Sequence, residues 1–193
     1  MNTNPSIAAV PAVNDTTSDA IIKARGITMR YPNGVTALEE VSLDIPRGEL
    51  VTLLGPSGCG KTTLLKIIAG LIEPTAGEIR VNDKTVHGPG PDRAFVFQDF
   101  ALMPWATVLR NVAFGLELRG VPREKREAVA RHYINEVGLS GFEDKYPNEL
   151  SGGMRQRAGL ARALSVDADV LLMDEPFSAI DDQMRRKLQE DLL

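Results

Sequence analysis

The sequence predicts an α/β fold that starts in antiparallel strands and carries a helical insertion. Three observations predict it. Short apolar runs, Leu50-Val51-Thr52-Leu53-Leu54 and Asp169-Val170-Leu171-Leu172-Met173-Asp174, read as buried strands. Tight turn signals, Pro32-Asn33-Gly34 and Pro46-Arg47-Gly48, separate the first runs and favour antiparallel pairing. Between Ala101 and Leu164 the pattern is helical, with no convincing strand.

Taken in order, residues 1–19 are rich in Asn, Thr, Ser, Ala and Pro and read as a disordered tail. They lack the basic start and apolar centre of a secretory signal. Residues 20–193 then read as one domain. Ala20-Ile21-Ile22-Lys23-Ala24 and Gly26-Ile27-Thr28-Met29-Arg30-Tyr31 are expected as two short strands, and residues 37–45 as a third. Leu64, Leu65, Ile67 and Ile68 fall at helical spacing. Residues 77–84 add a hairpin element to the first sheet, and Arg93-Ala94-Phe95-Val96-Phe97-Gln98 is a buried strand ending on a polar residue. A helix opens with Pro122 in its first turn, shows one apolar face at Ala130, Tyr133, Ile134 and Val137, and stops at Gly138. A second begins near Ser151, and residues 182–193 read as another. The helical subdomain is placed at about residues 101–164.

Composition narrows the partners. Of 193 residues, 43% are hydrophobic and 25% charged, ordinary proportions for a globular chain with a sizeable core. No apolar run is long enough to cross a bilayer, so a membrane role is expected to be peripheral. A net charge of -4 and a pI near 5.3 argue against broad nucleic-acid binding. The single cysteine, Cys59, can form no internal disulfide, and a cytosolic setting is expected.

Gly55-Pro56-Ser57-Gly58-Cys59-Gly60-Lys61-Thr62 fits G-x-x-x-x-G-K-[ST], between a predicted strand and the helix that starts through Thr63. Glycines let backbone N–H groups turn inward around phosphate oxygens, and the helix N-terminus adds partial positive charge. Lys61 is expected on the β- and γ-phosphates and Thr62 on Mg²⁺. The sequence thus predicts a phosphate-binding P-loop that works with Mg²⁺. Asp174 and Glu175 follow an apolar strand, where carboxylates would face such a site. Asp174 suits Mg²⁺ through water, and Glu175 suits the base that polarises the attacking water. Read alone, the pair could simply cap a helix.

Leu150-Ser151-Gly152-Gly153-Met154-Arg155-Gln156-Arg157 gives a helix capped by Ser151, with two glycines leaving its first N–H groups open to an anion. In this order with residues 55–62, Gln98 and Asp174-Glu175, it resembles the ATP-binding subunit of ABC transporters, over residues 21–193. The resemblance implies a mainly parallel core sheet beside the antiparallel β subdomain. It makes Gln98 the sensor of Mg²⁺ and attacking water. Ser151, Gly152 and Gly153 become the signature that closes on the γ-phosphate of a second copy. Ala179-Ile180-Asp181 is similar to the loop that crosses the dimer interface, with Ile180 where the family often has leucine. Tyr31 matches the aromatic that stacks on adenine, although a locally packed strand tyrosine is an alternative.

Residues 88–93, Leu102-Met103-Pro104-Trp105 and residues 111–116 resemble the importers for nitrate, sulfonate and taurine. The partners implied are a second copy, integral membrane permease subunits and, indirectly, a solute-binding protein, at the cytoplasmic face of the membrane. Phe100, Leu102, Met103 and Trp105 would either receive a helix of the permease or pack inside the helical insertion. Two other readings stand beside this one: a non-transport ABC-type ATPase acting on DNA or ribosomes, and a non-catalytic remnant. The family pattern continues into a strand ending on a γ-phosphate-contacting histidine. His87 and His132 both precede Asp174, so neither can fill that role. The sequence therefore reads as truncated or frameshifted, and an incompetent, marginally stable ATPase is expected.

Overall fold

The computed structural model describes residues 19–175. The tail before Asp19, the 179–181 loop and the 182–193 helix lie outside the described residues. The chain divides between Gly90 and Pro91 into two compact units.

The first unit is an antiparallel sheet with one helix. Its strands are β1 (Ala20–Arg30), β2 (Thr36–Pro46), β3 (Ala76–Val81) and β4 (Lys84–Thr85), in the order β2-β1-β3-β4. The two short strands expected at the start are one continuous β1. Gly26, at φ +57°, lies where the registers to β2 and β3 both shift, so it makes a bulge rather than a break. Asn82 and Asp83 both take positive φ between β3 and β4, the geometry a two-residue hairpin requires. Helix α1 (Lys61–Ile68) buries Leu64, Ile67 and Ile68, its i, i+3, i+4 face. Ile22, Ala24, Ile27, Ile79 and Val81 of the sheet are buried as well.

Residues 50–54 do not form the buried strand expected of them. They carry no regular secondary structure, and Leu54 is 82% exposed and Leu50 64%. The reason is pairing. An extended segment becomes a buried strand only when neighbours take its N–H and C=O groups. Among the described residues no strand pairs with this run.

The second unit holds a parallel pair, β5 (Arg93–Val96) and β6 (Val170–Met173), with α2 (Val108–Leu118), α3 (Arg123–Glu136) and α4 (Gly152–Ser165). β5 stops at Val96, two residues short of the expected strand end. No residue between Ala101 and Leu164 is in a strand, as the sequence predicts. Pro122 is the N-cap of α3 rather than inside its first turn, and Gly138, at φ +66°, follows its C-cap. The core joins Val108 and Val112 of α2, Ala130 and Ile134 of α3, and Ala158, Leu160 and Ala161 of α4 to Ala94 and Val96. α2, whose bounds the sequence reading leaves open, carries a capping signal in Thr107, whose hydroxyl accepts the Arg110 N–H at 3.3 Å.

Candidate functional site

Candidate site residues occur in both units, and each group is built by its own local structure. In the first unit, residues 55–62 form a glycine loop into α1. Gly60 is the N-cap at φ +102°, and a Cβ there would lie 2.4 Å from the Ala37 carbonyl oxygen. Only glycine fits that crossing. No side chain caps α1 and no acidic residue stands in its first turn, which leaves an anion-attracting helix end. Lys61 folds its ammonium across the loop, donating to the carbonyls of Gly55 at 2.8 Å and Pro56 at 2.9 Å. Pro56, Ser57 and Gly58 are exposed, whereas Cys59 is buried. Tyr31, just past β1, meets the Thr63 hydroxyl at 3.2 Å, so its phenol is tied to α1 beside Thr62.

In the second unit, β6 carries the chain to Asp174, which is 7% exposed. The Asp174 N–H extends the ladder by donating to the Val96 carbonyl at 3.1 Å. Glu175 then turns left-handed, at φ +50°. The Gln98 amide donates to its carboxylate at 3.0 Å, joining two residues 77 positions apart. The Gln156 amide donates to the Glu175 backbone carbonyl at 3.4 Å. Gln98, Asp174 and Glu175 are thus brought together at the carboxyl ends of two parallel strands. Ser151 caps α4, its hydroxyl accepting the Met154 N–H at 3.3 Å. Gly152 and Gly153 occupy the first turn, and a Cβ at Gly152 would touch nothing within 4 Å.

Among the described residues, no group of three or more His, Cys, Asp or Glu side chains could hold a metal. Asp174, a single buried carboxylate, has the chemistry of a group that would hold Mg²⁺ through water rather than in a protein cage.

The apolar cluster after Gln98 is divided. Leu102 packs against the core of the second unit, while Trp105 is 73% exposed. Asn111, fully buried, fixes the loop between them. Its side chain accepts the Met103 N–H at 2.8 Å and donates to the carbonyls of Met103, Ala106 and Thr107. Sequence reasoning gave Asn111, Gln156 and Arg162 no role. Asn111 had a usable signal, a polar residue on the apolar face of a capped helix.

A family model described as "ABC transporter" matches residues 38–178. The uncharacterized ABC transporter ATP-binding protein MJ0412 of Methanocaldococcus jannaschii is 55% identical over 161 residues, 83% of this chain and 60% of that protein. The taurine import ATP-binding protein TauB of Yersinia pestis bv. Antiqua is 50% identical over 173 residues, 90% of this chain and 68% of TauB. The chain spans between 60% and 66% of the length of MJ0412 and the similar Brucella ATP-binding proteins. Among solved structures, the dimeric cassette MJ0796 has a TM-score of 0.82 at 34% identity, covering 88% of this chain and 80% of that one. A dimeric post-hydrolysis state of the same cassette, bound to ADP and Pi, gives 0.81. A family match across most of the chain, relatives at half identity and a shared fold lead to one conclusion: this chain belongs to the ABC transporter family, as an ATP-binding domain.

Proposed function

We propose that the chain binds Mg²⁺-ATP at residues 55–62 and, as half of a dimer, belongs to the hydrolytic subunit of an importer for small solutes of the nitrate, sulfonate and taurine kind. The observation that carries the reading is the phosphate loop, with Gly60 fixed by the Ala37 backbone and Lys61 spanning an uncapped helix end. Similarity to taurine import proteins and to dimeric cassettes supports the import and dimer parts.

In this mechanism the N–H groups from Gly58 to Thr62 surround the β- and γ-phosphates. Lys61 exchanges its two loop carbonyls for phosphate oxygens. The Tyr31 ring lies against adenine. Thr62, Gln98 and, through water, Asp174 are the residues that would hold Mg²⁺, which would supply charge neutralisation at the phosphate oxygens. Glu175 takes the proton of a water whose oxygen attacks the γ-phosphorus. The bridging P–O bond breaks, and ADP and phosphate result. Gln98, held on the Glu175 carboxylate, keeps the base aimed. Ser151, Gly152 and Gly153 of one copy close on the γ-phosphate held by the other. The open space at Gly152 fits that role, because packing within this chain does not require a glycine there. The working place is the cytoplasmic face of the membrane, beneath two permease subunits and, through them, a solute-binding protein.

Calorimetry tests the carrying observation. Lys61→Ala should weaken Mg²⁺-ATP binding by at least about tenfold, ~1.4 kcal/mol. Equal affinity in variant and parent would refute nucleotide binding at this loop. In a relative of full family length carrying the same motifs, Glu175→Gln should keep the affinity and stop phosphate release. Continued release at the parent rate would remove Glu175 from its role.

A further inference from the structure

Phe100 and Ala101, two and three residues after Gln98, both take positive φ, at +61° and +45°. Neither is glycine, so the turn persists only where its surroundings hold it. The turn is closed locally by the Phe100 N–H donating to the Phe97 carbonyl at 3.1 Å and the Ala101 N–H to the Asp99 carbonyl at 2.6 Å. It packs on one stripe of α4, at residues 155, 159 and 162, the i, i+4, i+7 spacing of a single helix face. The Arg155 guanidinium lies 6.0 Å from the centre of the Phe100 ring. A Cβ on Gly159 would come within 3.4 Å of the Phe100 carbonyl oxygen, so the helix meets the turn backbone to backbone. Arg162 completes the contact. Its two terminal nitrogens donate separately, to the Ala101 carbonyl at 2.6 Å and the Phe100 carbonyl at 3.0 Å.

One planar guanidinium fork binds both carbonyl oxygens of the turn at once. Burial draws the Arg162 pKa below the usual arginine value, as for a guanidinium set into the protein rather than swept through solvent. Next to Arg155 on α4, Gln156 holds the Glu175 carbonyl, so the same helix touches the backbone on both sides of the Gln98–Glu175 hydrogen bond.

We propose that Arg162 is a positioning residue, which clamps the Phe100–Ala101 turn onto α4 and thereby holds Gln98 against Glu175. The signature helix would then do more than present Ser151 at its start. Its later turns would set the geometry of the water-activating pair in the same chain. The catalytic consequence rests on the reading of Glu175 as the base; the clamp itself does not.

The test uses the full chain with Arg162→Lys, which keeps the charge and loses the fork. Hydrogen exchange of the Phe100 and Ala101 amides should quicken by about tenfold, while α2 and α3 exchange as in the parent. Adding Ala101→Gly, which removes one left-handed penalty, should restore much of that protection. With Mg²⁺-ATP, Arg162→Lys should lower kcat about tenfold at unchanged KM. Unchanged exchange at the turn would overturn the clamp. A loosened turn with parental kcat would overturn the positioning role. If the parent itself shows no turnover, the kinetic comparison is made in a relative of full family length carrying the same glutamine, glutamate and arginine, where a parental kcat overturns the positioning role. Should the lysine variant melt early throughout, Ala101→Gly in the parent background decides. Slower exchange or no change there agrees with a turn held against its backbone preference, and faster exchange refutes it.

Discussion

Two apolar runs each lead into a group of candidate site residues, and they behave differently. Val170-Leu171-Leu172-Met173 is β6, paired in parallel with β5, with Leu172 only 5% exposed. Leu50-Val51-Thr52-Leu53-Leu54 is just as apolar, yet it is unpaired among the described residues and exposes Leu54 at 82%. Composition is not what separates them. A strand needs a ladder for its backbone as well as a core for its side chains, and only the second run has both. The chemistry-bearing residues follow the same division. Asp174 and Glu175 are placed by a ladder and by α4, whereas residues 55–62 are placed by α1, by Lys61 and by the Ala37 crossing at Gly60.

The sharpest way to break this comparison is a pair of leucine truncations followed by urea unfolding. Leu172→Ala should cost about 2–5 kcal/mol, as for a buried leucine. Leu54→Ala should change stability by about 0.5 kcal/mol or less, as for an exposed side chain. Comparable costs would show that residues 50–54 are packed in solution after all.

Asn111→Ala probes the next largest effect, in the helical half. It leaves the Met103 N–H and three carbonyls without their buried partner and should cost about 1–3 kcal/mol. The flanking Trp105 tests assembly instead. At 73% exposed, Trp105→Ala should leave the thermal melt near the parent value while impairing co-purification with a permease. A large fall in Tm would return that side chain to the core.

The smallest effect lies just before α4. The Tyr146 N–H, and after it Lys145, hold the Glu149 carboxyl below its ordinary 4.5. A depressed carboxylate stabilises the fold above the unfolded value and loses that contribution as pH falls through the folded one. Stability should therefore respond to Glu149→Gln at neutral pH and not once the pH is well below 4.5. An equal response at both would contradict the assignment.

Much of this was legible in the sequence where the cause is local. The glycine loop, the Ser151 cap, the Asn82-Asp83 hairpin and the Gly138 stop each carry their reason within a few residues. What was not legible depends on distant partners. Gly26 could be a break or a bulge until β2 and β3 set the register. Residues 50–54 read as a strand because periodicity reports apolarity, not pairing. Arg162 finds its acceptors 61 and 62 positions away, and no spacing rule announces them.

The most direct measurement is hydrogen exchange of the full chain with and without saturating Mg²⁺-ATP, followed residue by residue. The account predicts that amides 57–63 gain protection on adding nucleotide, while those of residues 170–173, already in a ladder, change little. No added protection at 57–63 would contradict the claim that this loop is the nucleotide site.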